Sequence, residues 1–360
     1  MKFSEILEIR NGKNQRNVEN PNGKYPIYGS GGRMGWADDY ICPADTVIIG
    51  RKGTINNPIY VDTPFWNVDT AFGLVPDPKI ILPKYLYYFC RSFDFEALNT
   101  TVTIPSLTKA NLLQIEIDVP SLEKQQAVVE TLDVIETVLS LVQKQIFCLG
   151  QLVKSRFIEM FGDPVTNPMG WETVRLAELG ELNRGVSKHR PRNAPELLNG
   201  PYPLVQTGDV ANADTYIKEY SSTYSEIGLK QSRMWSKGTL CITIAANIAK
   251  TGILTFDACF PDSVVGFIAG ERTNQLYIHH WFSFFQKILE EQAPQSAQKN
   301  INLQILSNLS VMIPPIDIQN QFADFVALAD KSKLTLHRMM EQQKILQSAL
   351  MQEYFGYAKA

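Results

Sequence analysis

Two stretches of this chain carry the same signature in the same order, and each opens a long run patterned for a helix. The segment Val119-Pro120-Ser121-Leu122-Glu123-Lys124-Gln125 returns as Ile313-Pro314-Pro315-Ile316-Asp317-Ile318-Gln319. By the same displacement along the chain, Glu159-Met160-Phe161-Gly162 returns as Glu353-Tyr354-Phe355-Gly356. A duplication constrains the fold before any single residue is weighed, because each copy must build a similar unit. After the first tag, Val128, Leu132, Ile135, Leu139, Val142, Ile146, Leu149 and Val153 are separated alternately by four and three positions, the a/d seam of a coiled coil. Gly150 is the weak point, costing ~1 kcal/mol against Ala in a helix interior. The matching positions of the second copy, Phe322, Val326, Ala329, Lys333, Leu336, Met340, Gln343 and Gln347, make a looser seam whose apolar stripe drifts towards Leu346 and Leu350. Two such helices in one chain can pair antiparallel with each other. A helix from Glu123 to Glu159 is roughly 55 Å long at its usual rise, the length of about sixteen base pairs of B-form duplex.

The likeness extends through both halves. Lys2-Phe3-Ser4-Glu5-Ile6 and Arg175-Leu176-Ala177-Glu178-Leu179 are short amphipathic openings, followed by Tyr25-Pro26-Ile27 and Tyr202-Pro203-Leu204. Thr46-Val47-Ile48-Ile49 and Thr239-Leu240-Cys241-Ile242 read as buried strands, and Asp69-Thr70-Ala71-Phe72-Gly73-Leu74 matches Asp262-Ser263-Val264-Val265-Gly266-Phe267 as a second strand. Aromatic-rich helices are expected at Pro83 to Phe93 and Gln275 to Ile288, and Ile104-Pro105-Ser106-Leu107-Thr108 and Asn300-Ile301-Asn302-Leu303 lead into the tags.

Composition sets broad limits. With 44% hydrophobic and 20% charged residues, 360 residues suffice for two or three globular domains. A net charge of −3 leaves any nucleic-acid role to local patches. Five cysteines without metal-ligand spacing read as reduced, mostly buried thiols. The first residues lack an apolar signal core and no uncharged run reaches membrane-spanning length, so a cytoplasmic protein without a membrane partner is expected.

Catalytic signatures are thin. Asn57-Pro58-Ile59-Tyr60 approaches the pocket motif of an amino-methyltransferase but has Ile where the second proline belongs; a turn opening a strand explains it. Gly29-Ser30-Gly31-Gly32 lacks the Lys-Ser/Thr of a phosphate loop and reads as a glycine hairpin presenting Arg33 and Trp36 on a loop. His279-His280 has no ligand spacing and reads as a polar edge on an aromatic helix. No catalytic, metal or cofactor residue is assigned.

The Pro-Ser-Leu-Glu-Lys-Gln and Pro-Pro-Ile-Asp-Ile-Gln tags resemble the helix-opening tag of the specificity subunits of type I restriction-modification systems. Phe161-Gly162-Asp163-Pro164 with Pro168-Met169-Gly170-Trp171 resembles that family's linker, and Lys299-Asn300-Ile301-Asn302 its pre-tag signature, where the first half departs with Pro105-Ser106-Leu107-Thr108. The resemblance spans essentially the whole chain. It implies an α+β fold: two similar mixed α/β target-recognition domains, at 1–118 and 163–312, separated by two long antiparallel coiled-coil helices, at 119–162 and 313–360, in pseudo-twofold arrangement. It also implies a non-catalytic subunit that reads a bipartite sequence in double-stranded DNA. Its partners would be two methyltransferase (M) subunits and restriction (R) subunits, with S-adenosylmethionine, ATP and Mg bound by those partners.

DNA-facing residues are expected in patches. Arg184, Lys188, Arg190 and Arg192 crowd into a Gly- and Pro-bearing loop suited to phosphates, and a solvated loop is the bland alternative. Arg10, Lys13 and Arg16 stand among amides suited to base edges. Arg51 and Lys52 follow one buried strand and Lys250 follows its counterpart, while Gln206 and Thr207 sit at a strand-end loop. Two other functions remain open at this stage: a self-contained DNA methyltransferase or nuclease, and a coiled-coil adaptor without a DNA role.

Overall fold

The computed structural model describes residues 1–98, 106–245, 248–292 and 301–356, the side chains of 287–292 excepted. The landmarks at Ile104-Pro105 and Lys299-Asn300 lie outside the described residues. The chain forms two compact units. One comprises the residues up to Lys144 together with the chain from Arg338 onward, and the other spans Gln145–His337.

In the first unit, α1 (Phe3–Ile6) leads into β1 (Leu7–Asn11), followed by β2 (Tyr25–Gly29), β3 (Gly32–Ala37), β4 (Thr46–Gly50), β5 (Ile59–Val61), β6 (Trp66–Asn67) and β7 (Ala71–Pro76). Then come α2 (Pro83–Ser92), α3 (Lys109–Leu112) and the long helix α4 (Leu122–Phe161), whose residues from Gln145 onward belong to the second unit. The main sheet has the order β1-β7-β4-β5 and the smaller one β3-β2-β6, with β2 and β6 parallel. β4 is buried at every residue because both its faces are covered. Val47 and Ile49 join the core built on α2, while Ile48 meets Cys42, Val61 and Phe65 on the other face.

The second unit repeats the scheme. It contains β8 (Thr173–Arg175), β9 (Gly180–Arg184), β10 (Leu198–Leu204), α5 (Thr207–Ala211), β11 (Tyr216–Ile217), β12 (Ser222–Tyr224), α6 (Glu226–Lys230) and β13 (Met234–Trp235). These are followed by β14 (Leu240–Thr243), β15 (Thr251–Leu254), β16 (Ala258–Cys259), β17 (Val264–Ala269), α7 (Gln275–Gln292), α8 (Leu303–Ser307), β18 (Ser310–Met312) and α9 (Ile316–Phe355), whose residues from Arg338 onward belong to the first unit. Its main sheet runs β11-β15-β14-β17-β9, so β9, β17, β14 and β15 stand where β1, β7, β4 and β5 stand in the first unit. The parallel pair β10–β16 likewise repeats β2–β6.

The tag glutamines explain why the tag recurs. Gln125 is fully buried; its Nε2 donates to the carbonyls of Ile80 and Pro120, each at 2.9 Å, and its Oε1 accepts the N–H of Leu82 at 2.8 Å. Gln319 is equally buried and donates to the carbonyls of Pro314 at 2.8 Å and Arg272 at 3.1 Å. Its Oε1 accepts the N–H of Asn274 at 2.9 Å and the Thr273 hydroxyl at 3.0 Å. Each glutamine thus fastens the start of a long helix to the turn that launches its unit's aromatic helix. A primary amide suits the task because it offers both donors and acceptors.

The long helices belong to the cores. In the second unit, Phe157 and Phe161 on α4 pack with Phe322 on α9, ring centroids 5.4 and 5.5 Å apart, and both contact Tyr277 of α7. Leu149 and Leu152 line a shared groove with Leu336, so residue numbers fall on α4 as they rise on α9 and the helices run antiparallel. In the first unit, Val128, Val129 and Leu132 share a core with Leu350, Met351, Tyr354 and Phe355, the same sense of pairing. Along the α4 seam Leu132, Ile135, Val142 and Val153 are buried, and Val128, Leu139, Ile146 and Leu149 are half-buried. On α9, Phe322, Val326 and Ala329 are buried, while Leu336 and Met340 are half-buried. Lys333 fills a seam position because its ammonium reaches Asp214 at 2.8 Å, its stem lying along the helix.

Two expectations need correction. The stripe does not move to Leu346, which is exposed; Gln343, Gln347 and Leu350 hold the half-buried line. His279 and His280 are no polar edge. Tyr277, Ile278, Trp281 and Phe282 are all fully buried, His279 is buried with them, and His280 is half-buried. His279 Nδ1 lies 2.9 Å from Thr251 Oγ1, and the His280 ring packs against Phe322.

Candidate nucleic-acid interface

Strand pairing decides which basic residues meet. In the first unit, β7 pairs with β1 at Asn11–Phe72 and with β4 at Gly50–Ala71, so the ends of β1 and β4 and the start of β7 share one end of the sheet. Lys13, Arg51 and Lys52 emerge there. Their backbone is fixed. Lys13 donates its N–H to Asn67 O at 3.0 Å and receives the Trp66 indole N–H on its own carbonyl at 3.0 Å. Arg51 donates to Thr70 O at 2.7 Å and accepts from Leu107 N at 2.9 Å. Gly12, just before Lys13, is obligatory, since a Cβ there would stand 1.8 Å from Val68 O.

The same end of the second unit's sheet carries the second cluster. β17 pairs with β9 at Val265–Arg184 and with β14 at Thr243–Val264, which brings Arg184, the chain leaving β9, and Lys250 beyond β14 to one end. Gly185 repeats the close approach of Gly12, its would-be Cβ lying 2.3 Å from Pro261 O. Asp262 organises the arginines. Its carbonyl accepts from Arg184 Nε, and its carboxylate pairs with Arg190 at 3.3 Å and with Arg192. Gln231 Oε1 holds the loop backbone by accepting the N–H groups of Lys188 at 2.6 Å and His189 at 3.0 Å. Three guanidinium groups against one carboxylate leave a net positive surface on an ordered loop, suited to phosphate oxygens.

Not every expected residue joins these clusters. Arg10 sits on β1 itself and spends its guanidinium on Glu8 and on the carbonyl of Ile41 at 2.7 Å. Arg16 lies further along the exposed stretch after β1, its N–H donating to Asn14 Oδ1. Arg33 and Trp36 stand on strand β3 and not on a loop; the two-residue turn Ser30-Gly31 closes the hairpin before them, and the guanidinium lies 5.1 Å from the indole centre. Arg184 ends strand β9, with the loop beginning after it. Gln206 and Thr207 open α5, Gln206 capping it with Asp209 and donating to Ser222 Oγ at 2.9 Å. Lys250 is half-buried, its N–H donating to Thr243 Oγ1 at 3.1 Å. Among the described residues, the side chains of Lys13, Arg16, Lys52 and Lys188 are exposed and carry no ion pair.

Sequence reasoning missed Asp262, Gln231 and the Trp66–Asn67 clamp as organisers. The repeat of Asp69 and Asp262 ahead of matching strands was the visible signal for the first. An exposed Asp69 marks the same place in the first unit.

Comparison with known proteins agrees with this duplicated design. A family model described as the type I restriction modification DNA specificity domain matches residues 1–146 and again 168–347. A protein of Haemophilus influenzae assigned as a type I restriction enzyme specificity subunit is 22% identical over 335 residues, covering 89% of this chain and 83% of the relative. The type I restriction enzyme MjaIX specificity subunit of Methanocaldococcus jannaschii is 22% identical over 349 residues, covering 88% of this chain and 78% of its own. The crystal structure of the S subunit from M. genitalium superposes with a TM-score of 0.65 at 15% identity, covering 99% of this chain and 95% of that one. No helix among the described residues is long and apolar enough to cross a membrane.

Proposed function

Because this chain belongs to the type I restriction modification DNA specificity family, we propose that each unit reads one half of a bipartite target in double-stranded DNA through its basic sheet end. The observation that carries this reading is topological. Lys13, Arg51 and Lys52 leave the ends of β1 and β4, and Arg184, the arginine loop and Lys250 leave the ends of β9 and β14. Two units that differ in their polar side chains but present them from equivalent strand ends are suited to two different half-sites. Phosphate contacts from the lysines and arginines would set position on the duplex, and neighbouring polar and apolar side chains would read base edges.

In this reading α4 and α9 serve as the spacer that sets the gap between half-sites and as the docking surface for two M subunits, with R subunits joining that assembly. Chemistry then belongs to the partners: S-adenosylmethionine, ATP and Mg bind there, and this chain contributes recognition in the cytoplasm. The test is to expose DNA to the assembled complex with S-adenosylmethionine and map the modified bases. Modification confined to a sequence of two short parts at a fixed gap supports the reading, and modification governed by one uninterrupted sequence contradicts it. A coiled-coil adaptor would show no modification and no salt-dependent DNA binding.

A further inference from the structure

Strand β3 contains one residue more than its pairing with β2 uses. Gly29 faces Gly32 and Tyr28 faces Arg33, but the next pair is Ile27 with Gly35, so Met34 is the unmatched residue of a β-bulge. A bulge turns a side chain out of the pleat alternation and is a usual device for aiming it. Here the side chain so aimed is large, apolar and 63% exposed. It also has a seat: a Cβ on Gly29 would stand 2.8 Å from Met34 Sδ, so glycine at that position leaves room for the thioether. β3 is the edge strand of its sheet, and residues 18–20 bridge its outer side at Trp36, Ala37 and Asp38, past the bulge.

The surroundings indicate what Met34 meets. Arg33 precedes it and lies over Trp36, itself part-exposed. The hairpin turn abuts the exit of β4, for a Cβ on Gly50 would lie 3.0 Å from Ser30 Cβ, and Arg51 and Lys52 follow Gly50 directly. An apolar side chain exposed beside a fixed set of cations is complementary to a groove of duplex DNA, where phosphates flank the apolar parts of base edges. We propose that Met34 is a specificity-determining residue of the first unit, its thioether contacting a thymine C5-methyl group in the major groove while Arg33, Arg51 and Lys52 hold the flanking phosphates. This assignment rests on the DNA reading proposed above and adds the residue and the base chemistry to it.

The experiment uses the assembled complex carrying the wild-type chain, Met34→Ala or Met34→Leu. Methylation rates are measured on duplexes varied one base pair at a time across both half-sites. Met34→Ala is expected to lose about tenfold discrimination at one thymine position of one half-site, the scale of a single base contact. The other positions and the salt dependence should stay as in the wild type, and Met34→Leu should keep the preference. Unchanged discrimination in Met34→Ala, with the wild-type two-part preference intact, overturns the assignment alone. A uniform loss of rate at every position, or weakened assembly with the M subunits, also overturns it, showing a structural or protein-binding role. A wild-type complex without any two-part preference overturns the underlying DNA reading and this assignment with it.

Discussion

The side-chain oxygen of Gln125 accepts the backbone N–H of Leu82 at 2.8 Å, and Leu82 immediately precedes the proline that starts α2. With the two carbonyls bound by its Nε2, this one amide satisfies three backbone groups that would otherwise be stranded where α4 begins. Replacing it with alanine should therefore cost roughly 2–4 kcal/mol, since each lost bond leaves a buried partner unsatisfied. Gln125→Glu should be at least as damaging, because a carboxylate would confront two carbonyl oxygens. Urea unfolding of the two variants checks both expectations, and Gln319→Ala should behave in parallel.

A second expectation concerns the aromatic junction of the second unit. Phe322 is fully buried against Phe157, Phe161 and His280, so Phe322→Ala should destabilise the protein by about 3–5 kcal/mol through cavity formation. On the seam, Val142 is 2% exposed, and Val142→Asp should disrupt helix pairing or subunit docking while each domain keeps its fold. Circular dichroism with assembly by gel filtration would check it; normal assembly by Val142→Asp would count against the seam.

Asp262 offers a test on the interface itself. Asp262→Asn removes the charge that gathers Arg190 and Arg192. Freed arginines should strengthen binding to any duplex and steepen its salt dependence, while discrimination at one half-site declines as the loop loses its order. The ratio of dissociation constants for target and non-target duplexes, taken at two salt concentrations, reads this out. An unchanged ratio would remove Asp262 from the recognition machinery.

Acid should loosen the second unit. Burial pushes His279 from its usual value of 6.5 down to about 4, with Asp214 opposing and Lys333 reinforcing the shift; burial and the neighbouring His279 push His280 down as well. These histidines are neutral in the folded protein, so the unfolded chain binds more protons below about pH 6.5. Their contribution is fully present above that value and is lost as pH falls towards about 4. Unfolding midpoints followed from pH 7.5 to 4.5 should decline, and His279→Asn, which keeps a partner for Thr251, should flatten the decline.

Much of this fold was legible because it rests on periodic or repeated features. The a/d spacing from Val128 to Val153 required a long helix, observed from Leu122 to Phe161, and the apolar runs at Thr46 and Leu240 required buried strands. Features that depend on through-space packing stayed hidden. His279 reads as surface until α7 is seen enclosed, and Arg33 reads as a loop residue until the bulge at Met34 prolongs β3. Lys333 looks like a defect in the seam until Asp214, far away in sequence, is placed beside it. The basic residues themselves were visible, but only strand register separates Arg10, engaged by Glu8 and Ile41, from Lys13, which projects free of any ion pair among the described residues.

The most direct measurement exchanges residues 163–312 for the corresponding segment of a relative with a different target and maps the bases modified by the assembled complex. One half of the target is expected to change to the donor's while the other half and the gap remain. A change in both halves together, or in neither, would contradict that expectation.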